Sequence, residues 1–199
     1  MITSTFSAGT IGWVPIATGI TGLLGLASII LFFTIGQPFG TLNDIAVAVA
    51  AILSAALAWI LNPTHHAQSP QLSLFALVAA VVGAAVVVVG SVLVVSGRTG
   101  WFLAGLYMTA GNALIGLWLL GLAYSALRGS AWPQGLVVLG VVAGAVMVPG
   151  LLSVPGILRG IDAQGLAPWY VNAGYVGALG WLLLYPLWCI WLGRFLLRQ

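Results

Sequence analysis

Residues 72–96 read LSLFALVAAVVGAAVVVVGSVLVVS. In water, a segment this rich in valine suggests a buried strand, but strands usually run about 3–10 residues. The stretch is long enough to cross the hydrocarbon core as a helix, which takes roughly 20 apolar residues. Lipid also removes the strand alternative. With no water to satisfy backbone polar groups, a spanning segment has to bond to itself, and a helix does so. Leu72–Ser96 therefore predicts a transmembrane helix, and with it the class of the whole chain.

Five other runs follow the same reading. Ile11–Ile35 precedes it with Trp13 and Pro15 near its start, and Leu42–Leu61 comes next. After it come Trp101–Leu127, Leu136–Ile157 and Gly174–Leu192. The expected fold is an all-α, polytopic transmembrane helix bundle of about six spans, a single integral membrane domain over 1–199. Composition agrees. The 199 residues are 62% hydrophobic and 4% charged, against about 25% charged in an ordinary soluble domain. Too few charges remain to keep a surface of this size dispersed in water.

The cations are Arg98, Arg128, Arg159, Arg194 and Arg198, with no lysine, and the acids are Asp44 and Asp162. Five scattered arginines make no basic patch, so nucleic acid is not an expected partner. The N-terminus lacks the charged n-region and short apolar core of a cleavable signal, and the first run reads as a retained helix. With six spans, both termini share a side with the second and fourth links. That side carries Arg128, Arg194 and Arg198 together with His65 and His66; the other carries Arg98 and Arg159. The positive-inside tendency then places both termini in the cytoplasm. Abundant Ala, Val and Gly without lysine suggests a bacterial plasma (inner) membrane. Trp13, Trp59, Trp101, Trp132, Trp169 and Trp191 fall near run ends, where indole sits at headgroup level. Trp118, Trp181 and Trp188 lie deeper.

Small residues indicate how the helices meet, because close packing replaces the hydrophobic effect between helices in lipid. Gly140 and Gly144 form a GxxxG pair. Ala48, Ala51, Ala55 and Ala58 form a stripe, and Gly105, Gly111, Gly116 and Gly121 recur along the fourth run. The expected partners are membrane lipid and a second copy or another membrane protein.

Chemistry-bearing residues are few. His65 and His66 are adjacent and so point apart on a helix, and a catalytic zinc generally needs three protein ligands. Cys189, the only cysteine, has no evident base and reads as a small buried apolar residue. A Schiff base would need a lysine. No catalytic, cofactor-binding or metal-ligating residue is expected, and an enzyme is the less expected class. Asn43 and Asp44 open the second run, where a side-chain oxygen could cap free N–H groups. No run carries an ionisable group at its centre, which disfavours a carboxylate relay. The remaining polar features suggest a path lined by Asn112, Pro149, Ser153 and Tyr185. Pro149 and Pro155 each leave a carbonyl without its usual donor, and Ser153 could supply one bond. Arg159 and Asp162, three apart, would face one another if helical, in a segment 158–173 read as interfacial or re-entrant. Two functions follow: a non-catalytic packing or complex subunit, or a small permease or channel for a neutral or lipid-like solute.

Overall fold

The computed structural model describes residues 8–66, 69–129 and 132–199. All its regular elements are helical. Six helical spans are long and apolar enough to cross a membrane: 11–34, 39–63, 70–95, 101–127, 134–158 and 169–196. The first four are single helices, α1 (Ala8–Thr34), α2 (Phe39–His66), α3 (Pro70–Val95) and α4 (Trp101–Gly129). The fifth runs through α5 (Gln134–Met147), a 3₁₀ segment (Val148–Ser153) and α6 (Val154–Leu158). After a loop holding a 3₁₀ turn (Gln164–Leu166), the sixth comprises α7 (Trp169–Gly174), α8 (Gly177–Leu179), a π-helical turn (Gly180–Leu184) and α9 (Tyr185–Leu196). The chain is thus a multi-pass, all-α membrane bundle.

Two boundaries differ from the sequence reading. The second helix begins at Phe39, not Leu42, so Asn43 and Asp44 lie inside it. They are buried at 7% and 6% exposure and do not cap its start. The polar segment expected to run to Ala173 ends earlier: Trp169 already opens α7. Pro168 fixes this start, because the residue just ahead of a helix's first turn needs no intrahelical donor.

Large apolar side chains such as Leu24, Ile30, Phe75, Val82 and Leu183 point outward and are exposed, as lipid-facing positions should be. The interior is close-packed on small residues. A Cβ at Gly83 would lie 2.5 Å from the Gly111 carbonyl oxygen, and one at Gly111 would lie 2.5 Å from that of Gly83. These paired glycines let the α3 and α4 backbones meet. Gly116 and Gly144 do the same for α4 and α5: a Cβ at Gly144 would come within 2.8 Å of the Gly116 oxygen.

A further seam joins α1 to α9. At its lower end a Cβ at Gly193 would lie 2.6 Å from the Gly12 oxygen, and one at Gly19 would lie 2.6 Å from the Pro186 oxygen. One turn further, Gly22 packs on the Pro186 ring. Above that level α1 turns to α2 instead, and Gly25 faces Asn43, Ala46 and Val47. The sixth span meanwhile passes into its π turn. Such a turn inserts an extra residue into the helical ladder and often marks a functional site. The two helices part there, and a wedge opens between them.

Candidate functional site

The wedge is a cavity of about 230 Å³. The α4 residues Trp101, Ala104, Gly105, Met108, Thr109 and Asn112 form one wall. Their spacing of three and four keeps them on a single helical face. At 1.5 Å per residue this wall descends about 16 Å, half of a hydrocarbon core about 30 Å thick. Helix α2 contributes Asn43, Asp44 and Val47, and α1 contributes Ile29 and Phe33. The irregular sixth span contributes Tyr175, Gly177, Ala178, Trp181 and Leu182. At the mouth Phe33 and Trp101 are 69% and 44% exposed. Their rings meet edge to face with centroids 6.0 Å apart.

Polar groups in the wall are unevenly satisfied. Some donors are used internally: the Thr109 hydroxyl donates to the Gly105 carbonyl at 2.7 Å, and the Tyr175 hydroxyl to that of Phe102 at 3.2 Å. Asn43 Nδ2 donates to Asp44 Oδ1 at 3.3 Å. Asn43 Oδ1 and Asn112 Oδ1 are buried without a partner, and the rest of the Asp44 carboxylate adds to them. No arginine or histidine occurs among the described residues of the lining. An ionisable side chain buried inside a membrane span is a functional marker. The sequence reading missed Asp44 by starting its helix at Leu42.

The floor is aromatic. Trp181 stacks on Tyr185 (centroids 5.2 Å apart, planes at 14°), and Tyr185 on Trp188 (5.9 Å, 17°). Spacings of four and three place the three rings in a column on one face of the sixth span. Trp118 meets Trp188 edge to face at 6.2 Å, and Trp132 lies 6.4 Å from it. The Tyr185 hydroxyl donates to Ser54 Oγ at 2.8 Å, and Ser54 donates to the Ala50 carbonyl at 2.7 Å. Beyond the column lies a pocket of about 10 Å³, bordered by Asn62, Ser73, Trp118 and Ser125. That is about the space of a single water. At the far end of the sixth span, a surface groove is flanked by Trp191, Arg194 and Arg198.

The residues expected from sequence are distributed as follows. Asn112 lines the cavity. Tyr185 lies beneath it, in the column. Pro149 sits in the 3₁₀ segment, which packs against α4 and α7. Ser153 is fully buried there with its hydroxyl unpartnered, so it does not supply the bond expected for a proline-freed carbonyl. The four do not line one cavity: Pro149 and Ser153 lie in the 3₁₀ segment and Tyr185 in the column. The expected Arg159–Asp162 pairing is replaced. The helix ends at Leu158, and Gly160 adopts φ 63°. The Asp162 carboxylate then accepts from the backbone N–H groups of Gly100 at 2.5 Å and Leu103 at 3.0 Å, capping α4. Cys189 is buried. His65 and His66 close α2, and their side chains lie outside the described residues. Among the described residues no three His, Cys, Asp or Glu side chains cluster as a metal site would require. No family model matches the chain, and neither curated proteins nor solved structures give a match.

Proposed function

We propose that this chain is a solute-binding membrane protein of the permease type, with the cavity between α1, α2, α4 and the sixth span as its site. The observation that carries this reading is the pairing of a half-depth cavity with an aromatic floor that closes the remaining depth. A permease held open to one side has this form, whereas a subunit devoted only to helix packing has no need of a cavity that reaches a buried carboxylate. Arginine distribution adds a direction. The cavity opens on the side of Arg98 and Arg159, and the floor faces the side of Arg128, Arg194 and Arg198. By the positive-inside tendency the open side is external and both termini are cytoplasmic, in a bacterial plasma membrane. Association with a second copy or another membrane protein is compatible with this assignment and forms no part of the site.

The test is one-sided accessibility. Ala178→Cys, on the cavity wall, is expected to react with a membrane-impermeant thiol reagent added outside and not with reagent added inside. Ser54→Cys, below the floor, should react from neither side. An Ala178→Cys protein whose introduced thiol stays unreactive from both sides would sink the reading.

A further inference from the structure

We infer that the cavity takes a small organic ammonium ion, with the Asp44 carboxylate as its counter-ion and aromatic rings around its apolar body. This rests on the cavity being a solute site and adds the class of solute.

The argument begins with the sign of the wall. Asp44 is the only acid or base of full charge among the described lining residues, and Tyr175 is the only other titratable group facing it across the cavity. The donors of Thr109, Tyr175 and Asn43 are already committed within the protein, while oxygens of Asn43 and Asn112 are left over. The Asp44 carboxylate and these buried oxygens suit a ligand that brings donors and positive charge. An anion would bring further acceptors and meet the carboxylate. An uncompensated buried carboxylate is costly, and a cation at hydrogen-bonding distance removes that cost.

The size and lining give the rest of the class. A bare metal ion wants about six oxygen ligands, and this cavity offers mostly carbon. Trp181, Trp101, Phe33 and Tyr175 present aromatic surface, and the faces of such rings attract organic cations. A volume of about 230 Å³ leaves room for an apolar body behind the charged head. Of these, the Phe33–Trp101 pair stands at the mouth, where the ligand would enter.

The test uses three probes of similar shape and different charge on protein reconstituted in zwitterionic nanodiscs, with empty nanodiscs as the blank. They are 2-phenylethylammonium, 2-phenylethanol and 3-phenylpropanoate, each titrated calorimetrically. The cation is expected to bind about tenfold or more tightly than the alcohol, in line with a charge-assisted hydrogen bond. The carboxylate should not bind. Asp44→Asn should lower the cation's affinity to that of the alcohol and leave the alcohol unchanged. Equal binding of cation and alcohol, unaffected by Asp44→Asn, would overturn the ammonium assignment. So would binding of none of the three while the Ala178→Cys protein still labels from one side, and in both cases the solute-site reading stands. Failure of the Ala178→Cys protein to label from either side removes that reading itself. If Asp44→Asn does not fold, the ranking of the three probes on the unsubstituted protein decides.

Discussion

The same two helices behave differently in the two halves of the bilayer. In the half that holds the termini, α1 and α9 touch backbone to backbone through Gly12, Gly19 and Gly193, and stacked rings of Tyr185 and Trp188 fill the space behind them. In the other half, α1 leans on α2 while the sixth span bends through its π turn, leaving the cavity. Both halves are built from small residues and tryptophan, so composition does not separate them. The difference lies in what the backbone does at Pro186, where the seam ends and the irregular turns begin.

That contrast can be broken from the closed side first. Trp188→Ala removes the ring at the centre of the column and should cost about 3–5 kcal/mol, as for large aromatic truncations in a core. Thermal unfolding in detergent, followed by intrinsic fluorescence, reads it, and a change under about 1 kcal/mol, the size of an ordinary substitution, would mean that the column does not seal the floor. Next comes Gly193→Val, whose added atoms meet Ile16 and the Gly12 oxygen. Overpacking of this kind costs about 1–3 kcal/mol and is checked by the same melt. Removal of the α4 cap by Asp162→Ala should cost about 1 kcal/mol and speed hydrogen exchange at the first turn of α4. The smallest effect belongs to the open side. A Cβ at Gly25 has only ordinary contacts at 3.7 Å, so Gly25→Ala should stay within about 0.5 kcal/mol of the parent. Equal penalties at Gly25 and Gly193 would erase the distinction between the halves.

The spans themselves were legible because hydropathy over roughly twenty residues is a strong signal in lipid. Asn112 was also legible, since its position midway along a long regular helix does not depend on tertiary contacts. Asp44 was not. Its role turns on where α2 starts, and the apolar run alone puts that start three residues late. The unpartnered oxygens of Asn43 and Asn112 were hidden as well, because pairing in the cavity depends on contacts such as Tyr175 with Phe102, 73 residues apart. The prolines of the fifth span break the α-helical ladder, and the 3₁₀ turn there packs Gly150 against the Thr109 carbonyl. In the sixth span, the i, i+4, i+7 spacing of Trp181, Tyr185 and Trp188 was visible, but not that the three rings would face inward and stack.

The Asp162 carboxylate grips the chain at Gly100 and Leu103, on either side of Trp101. An extramembrane loop thus holds the helix end that carries one of the two rings at the cavity entrance. A force that draws residues 158–168 away from the bilayer would release this hold and free the indole to swing.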